Sequence, residues 1–77
     1  MQLEILTPDQ VLFSGDVVSA VLPGSKGQFE ILQNHAALVS SLEKGLIRVK
    51  TTDGKSSEIA IQGGVVEVLN NKIVVLA

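Results

Sequence analysis

The residues of this 77-residue chain that could carry out chemistry are few, and they form no recognisable catalytic set. His35 is the only histidine, and the chain contains neither cysteine nor tyrosine. Nucleophilic catalysis needs a nucleophile, a base and a group that orients the base. Serines are present, but one imidazole and eight scattered Asp and Glu residues offer no converging partners. We therefore predict a protein that is not an enzyme, and we expect no catalytic residue and no cofactor.

Neither a metal site nor a phosphate-binding loop is predicted. A metal needs several ligands close together, and no cysteine or second histidine could join His35. The segment Gly24-Ser25-Lys26-Gly27 resembles a phosphate loop only superficially, because the Walker pattern ends in Gly-Lys-Ser/Thr and precedes a helix. Two interpretations of His35 stay open: a solvated or structurally hydrogen-bonded turn residue, or a contact residue at a protein interface.

Composition and charge limit the partners that the chain could bind. The formal net charge is -2 and the six basic residues are scattered, which argues against a nucleic-acid surface. Aromatic residues make up 3% of the chain, so little is available to grip a small-molecule substrate, a sugar or a peptide. No apolar run approaches the roughly 20 residues of a membrane span. The first residues, MQLEIL, lack the features of a signal peptide. We expect a soluble, cytoplasmic protein.

The elements that position these residues are predicted to be strands joined by turns. Apolar and polar residues alternate over residues 28–32, 46–51 and 57–62. A strand over residues 11–13 is predicted to be interrupted at Ser14-Gly15, with a further strand over residues 16–22. Two-residue hairpin turns are predicted at Asp53-Gly54 and at Asn70-Asn71. Because turns recur every 8–12 residues or so, we predict an all-β fold. The spacing is typical of an antiparallel β-sandwich or barrel, in one domain over residues 1–77.

The last predicted hairpin departs from simple alternation. Residues 65–69 and 73–76 are apolar on both faces, whereas a strand with one solvent-exposed face would alternate apolar and polar residues. Two interpretations are open. Either the two strands lie between layers of the domain, or a partner chain covers one of their faces.

Five segments of the sequence resemble the N-terminal β-sandwich domain of the epsilon subunit of rotary F-type ATP synthase. In order, they are LEILTPDQVLFSGDV, VLPGSKGQFEIL, HAALVSSLEKGLIRV, IAIQGGVVEV and KIVVLA. The resemblance implies a flattened antiparallel β-sandwich of about ten short strands. It also implies a central-stalk (rotor) subunit that binds the gamma subunit and the c-ring and couples ion translocation to ATP synthesis, without being catalytic. It implies a peripheral location on the cytoplasmic face of the bacterial plasma membrane, held there through the complex. Many members continue into a two-helix C-terminal domain, so the sequence resembles a short form without that hairpin.

The resemblance also implies two contact surfaces. The expected c-ring contacts are Ser25, Lys26 and Gln28, which match the family's c-ring-facing loop. The expected gamma-subunit contacts are Thr7, His35, Ser40 and Val74, with His35 matching the histidine of the family's P-G-H-A-P-L motif.

This chain departs from the family pattern at both surfaces. Lys26 stands where an acid is common, and Gln28 replaces a frequent acid, so charge pairing with the ring would change. Gln33, Asn34 and Ala37 replace the usual Pro, Gly and Pro of the histidine motif. Asn34 can adopt a positive φ at moderate cost, so we expect that turn to survive.

Two alternatives come from other classes of protein. The first is a lipoyl- or biotinyl-type carrier domain modified at Lys26, which would also be a small flattened sandwich with a lysine at a hairpin tip. The carrier pattern places Asp or Met beside the lysine, whereas here the neighbours are Ser25 and Gly27. The second is a free-standing binding module for a peptide or sugar, which the shortage of aromatic residues disfavours.

Overall fold

The computed structural model describes residues 1–77, which form eight strands and no helix. The strands are β1 (Gln2–Leu6), β2 (Val11–Gly24), β3 (Gly27–Leu32), β4 (Leu38–Leu42), β5 (Gly45–Thr51), β6 (Ser56–Ile61), β7 (Gly64–Leu69) and β8 (Lys72–Leu76). The predicted all-β class is therefore confirmed, with eight strands where about ten were expected. No helix is available that could cross a membrane.

The strand count differs because β2 is a single strand of 14 residues. The interruption predicted at Ser14-Gly15 is wrong: Ser14 pairs with Glu4 and Gly15 pairs with Leu3, within the ladder to β1. A glycine in a strand weakens it by entropy but does not end it when its backbone stays extended, and Gly15 has no positive φ.

The long β2 joins two layers of sheet. Its first half pairs with β1, and the first layer continues through β8 and β7 to β4. Its second half lies between β3 and β5 in the second layer, which ends at β6. All pairings are antiparallel except that of β1 with β8, which is parallel. The predicted antiparallel sandwich therefore contains one parallel pair, made possible because β1 and β8 are far apart in sequence.

The core between the layers is aliphatic. Alternate residues of each strand point inward, and the buried side chains include no polar or charged residue. The ten largest fully buried side chains are Leu3, Ile5, Val17, Leu22, Ile31, Ile47, Val66, Val68, Ile73 and Val75. Phe13 and Phe29 are only partly buried at its margin.

The turns match the predictions at two of three positions. Asn70 and Asn71 have φ values of 52° and 61°, the two positive angles of a type I′ hairpin turn. Asn34 adopts a φ of 60°, as expected for the histidine turn. The prediction of a two-residue turn at Asp53-Gly54 is wrong. Strand β5 ends at Thr51 and β6 begins at Ser56, and the Thr51 N–H donates to the Lys55 carbonyl at 2.8 Å, which closes a longer loop.

Candidate functional site

The outer face of the first layer carries a continuous row of apolar side chains. The strand register places Val11, Leu6, Leu76 and Val65 side by side across β2, β1, β8 and β7, with Ser41 of β4 at the end. We call the four apolar residues Val11, Leu6, Leu76 and Val65 the apolar row. Val11, Leu76 and Val65 are 60%, 58% and 44% exposed. Most of this apolar surface therefore faces solvent in the isolated chain.

Charged residues flank the apolar row on the same face. The next row contains Glu4, Val74, Glu67 and Val39 in register. The Lys72 ammonium lies 3.3 Å from the Glu4 carboxylate, whereas Glu67 has no ion-pair partner. Val39 is 70% exposed, so it extends the apolar surface towards the edge of β4.

The exposure of this face decides between the two interpretations of the last hairpin. If β7 and β8 lay between layers of the domain, their outward side chains would be buried. Instead, Val65, Leu69 and Leu76 are between 44% and 58% exposed. The first interpretation is wrong because the second layer covers only the inner face of these strands. Coverage of the outer face by a partner chain stays a prediction.

Two of the expected gamma contacts, His35 and Ser40, line one groove. It has a volume of about 320 Å³ and lies between β3 and β4. Its other lining residues are Phe29, Glu30, Leu38 and Val39. The His35 Nδ1 lies 2.8 Å from the Ala36 carbonyl oxygen. Because a carbonyl oxygen only accepts, Nδ1 carries the proton, and Nε2 is an acceptor in the neutral ring.

The other two expected gamma contacts lie elsewhere. Val74 is half-buried on the outer face of β8, between Glu4 and Glu67. Thr7 follows β1, and its hydroxyl oxygen accepts hydrogen bonds from the Asp9 and Gln10 N–H groups at 3.3 and 3.1 Å. The hydroxyl of Thr7 is therefore occupied within its own turn.

Thr7 and His35 lie at opposite ends of β1. The N–H of Gln2, at the start of β1, donates to the Asn71 carbonyl. The Asn71 side chain in turn accepts from the N–H of Asn34, which neighbours His35. Thr7 lies beyond the other end of the strand. The four expected gamma contacts do not form one cluster, and a single partner would have to span the face to touch them all.

The three expected c-ring contacts lie together at the tip of the β2–β3 hairpin. Ser25, Lys26 and Gln28 are all exposed, and the tip is fastened to β4 because the Ser25 N–H donates to the Ser41 carbonyl at 3.0 Å. Gly24 is required below the tip: a β-carbon there would lie 2.6 Å from the Gly27 oxygen and 2.8 Å from the Phe29 ring. The hairpin is thus tightly closed and presents its polar side chains outward.

Sequence reasoning missed half of the apolar row. The apolar residues on both faces of segment 65–76 indicated the part of the row on β7 and β8. No local pattern indicated that Leu6 and Val11 would join it. Their place beside Leu76 depends on the parallel pairing of β1 with β8, which local periodicity does not reveal. No group of three or more His, Cys, Asp or Glu side chains lies close enough together to hold a metal ion.

Several known proteins are similar to this chain over its whole length. The family model of the ATP synthase delta/epsilon chain β-sandwich domain matches residues 1–77. The ATP synthase epsilon chain of Campylobacter jejuni is 47% identical over 77 residues, which are 100% of this chain and 60% of that relative. The epsilon chain of Campylobacter fetus is 43% identical over 76 residues, 99% of this chain and 59% of the relative.

Solved structures share the fold at low sequence identity. A chain of the Euglena gracilis mitochondrial ATP synthase (OSCP/F1/c-ring) is 20% identical with a TM-score of 0.87, covering 97% of this chain and 48% of that one. A chain of the Tetrahymena thermophila mitochondrial ATP synthase (central stalk/c-ring) is 19% identical with a TM-score of 0.81, covering 99% and 61%. These two matches establish the fold.

The family follows from the full-length match to its model. The chain spans about 60% of the length of the curated relatives that it matches, and the matched part is the β-sandwich that the structure displays. The chain belongs to the family of the ATP synthase delta/epsilon chain β-sandwich domain.

Proposed function

We propose that this chain is a central-stalk subunit of a rotary F-type ATP synthase that binds the gamma subunit and the c-ring. In this role it turns with the rotor and helps to couple ion translocation to ATP synthesis, and it performs no catalysis itself. It would lie on the cytoplasmic face of the bacterial plasma membrane, attached through the complex. Family membership favours this function over the carrier domain modified at Lys26.

The observation that carries the proposal is the exposed apolar row on the outer face of the first layer. Val11, Leu76 and Val65 are each about half exposed or more, and together with Leu6 they form a contiguous row across four strands. Full burial of a Val or Leu side chain contributes about 1.5–3 kcal/mol, so covering this row would supply several kcal/mol of adhesion. A patch of this kind on a small domain is typical of a protein interface.

A coupling subunit also needs a second surface, separate from the first. The polar tip with Ser25, Lys26 and Gln28 supports the c-ring contact because all three side chains are exposed where the β2–β3 hairpin closes. The tip is stiff, since Gly24 packs against Phe29 and Ser25 is bonded to Ser41. The domain would therefore transmit torque between its two partners as a rigid body that contacts each partner through a different surface.

The experiment is a titration of the chain with the purified gamma subunit of the same organism. We expect binding by the unmodified chain, and a loss of at least tenfold in affinity for Leu76→Asp, because a buried unpaired carboxylate is strongly unfavourable. Leu46→Asp is the matched control. Leu46 is 42% exposed on the outer face of the second layer, so its replacement should leave the affinity unchanged.

Two results would contradict this proposal. The first is a failure of the unmodified chain to bind gamma. The second is recovery of a covalent mass increment on Lys26 in protein purified from its own cells, which would favour the carrier domain.

A further inference from the structure

The edge of β4 that faces away from β7 is left without a neighbouring strand along residues 38–40. We infer that an extended segment of the gamma subunit pairs with this edge through its backbone at Val39, adding a strand to the first layer. The inference rests on the proposed function, and it specifies the form of the gamma contact: an extended strand, held by backbone hydrogen bonds beside the groove.

The chain itself uses the same edge of β4 at its other end. The Ser25 N–H donates to the Ser41 carbonyl at 3.0 Å, and the Glu43 N–H donates to the Pro23 carbonyl at 2.9 Å. Strand β2 reaches β4 at a single position, Gly24 opposite Leu42. The pairing then stops, and the remainder of the edge borders the groove.

The alternating direction of backbone groups along a strand shows that Val39 is the residue whose N–H and C=O point to the free edge of β4. In an antiparallel ladder the N–H and C=O of one residue point to the same side, and residues two apart share that side. The backbone carbonyl of Ser41 points to the edge that Ser25 occupies. The backbone N–H and C=O of Val39, two residues earlier, therefore point to the same edge. Its N–H and C=O lie where no strand of this chain pairs with them.

The groove beside this edge favours an extended peptide as its occupant. Phe29 and Leu38 offer apolar surface, and Glu30, His35 and Ser40 offer polar groups. Its volume of about 320 Å³ is at the lower end of ligand pockets, which fits a short strand. A helix bonds its own N–H and C=O groups internally and could not satisfy Val39, whereas strand addition to an exposed edge does so directly.

The residues of this edge also lack three common protections against pairing. Exposed edges are normally blunted by lysine, proline or a bulge. Leu38, Val39 and Ser40 carry none of these, and the ladder of β4 with β7 is regular from Leu38 to Leu42. A regular edge without lysine, proline or a bulge, beside a groove of mixed apolar and polar lining, is suited to receive a short strand.

The test compares gamma binding by Val39→Pro and Val39→Thr. Proline removes the outward N–H while leaving the ladder with β7 intact, a position where a strand tolerates proline. Threonine has a similar shape and keeps the N–H. We expect Val39→Pro to weaken binding roughly tenfold relative to Val39→Thr, as for loss of one backbone hydrogen bond with its buried partner left unpaired.

Hydrogen exchange provides a second test, which uses the unmodified chain and so does not require any variant to fold. The Val39 amide of the unmodified chain should exchange quickly when free and slowly in the gamma complex. If gamma binds but the Val39 amide stays unprotected and the two variants bind equally, the strand-addition inference is wrong while the proposed function stands. If gamma does not bind the unmodified chain, the proposed function itself fails.

Discussion

The α-carbon of Gly64 packs directly against the backbone of Leu76. A β-carbon on Gly64 would overlap the Leu76 carbonyl oxygen and would come within 3.0 Å of the Ala77 α-carbon. Gly64 also has a φ of 140°, a region that other residues rarely adopt. The start of β7 can therefore close onto the end of β8 only because residue 64 has no side chain, and this closure positions Val65 beside Leu76 in the apolar row.

We expect Gly64→Ala to lower the free energy of unfolding by about 3 kcal/mol or more, since backbone strain and overpacking each cost about 1–3 kcal/mol. Gly27→Ala is the matched control. Gly27 has a φ of 125°, but a β-carbon there would meet nothing within 4 Å, so only the strain applies. Urea unfolding of both variants would measure the difference, and equal losses would show that the overlap with Leu76 is relieved by a small shift.

A second prediction concerns the core and uses two leucines of paired strands. Leu22 is fully buried, whereas Leu32 is 53% exposed. Leu22→Ala should lower the free energy of unfolding by about 2–5 kcal/mol through lost burial and a residual cavity. Leu32→Ala should change it by about 0.5 kcal/mol or less. A domain of this size has only about 4–12 kcal/mol of stability, so thermal unfolding should separate the two variants clearly.

Most of the fold could be predicted from sequence because alternation reports which face of a strand is buried. Ile47 and Val49 are buried between exposed Leu46, Arg48 and Lys50, as their spacing indicates. The turn at Asp53-Gly54 was mispredicted because Thr51 competes for it: its hydroxyl donates to the Asp53 carboxylate and accepts from the Lys55 N–H. Local side-chain hydrogen bonds of this kind override a two-residue signal.

The candidate site was less predictable because it depends on which strands become neighbours. Ser25, Lys26 and Gln28 are close in sequence, so their common tip followed from one hairpin. Leu6 and Leu76, by contrast, are paired across almost the whole chain. Likewise, the free edge at Val39 exists because β4 meets β2 at one position only, a feature of topology that no local pattern encodes.

A third prediction concerns the charge of Asp53. A hydrogen bond from the Thr51 hydroxyl, helped by backbone N–H groups, favours the carboxylate and holds the pKa of Asp53 below its ordinary value. Because the folded pKa is lowered, the stabilisation is present above the unfolded pKa and is lost as the pH falls below about 4. Thr51→Val should raise the pKa of Asp53 in an NMR titration, whereas Thr52→Val should not.

The fourth prediction tests whether the expected gamma contacts act together. Val74→Asp should weaken gamma binding strongly, because covering this face would bury a new, unpaired carboxylate beside Glu4 and Glu67. His35→Ala should weaken it modestly, since His35 is one of six residues that line the groove and only its own contacts would be lost. If both variants bound gamma as tightly as the unmodified chain, the assignment of these residues to the interface would be wrong.

The last prediction concerns the hairpin tip and the c-ring. Because the chain has no cysteine, a thiol introduced by Lys26→Cys or Gln28→Cys is unique in it. In an assembled complex, we expect disulfide crosslinks from both positions to a cysteine placed in the polar loop of the c subunit, since both side chains project from the rigid tip. Lys50→Cys is the control, because Lys50 is exposed on β5, away from the tip. Crosslinking from position 50 without crosslinking from positions 26 and 28 would mean that the second layer, not the tip, faces the ring.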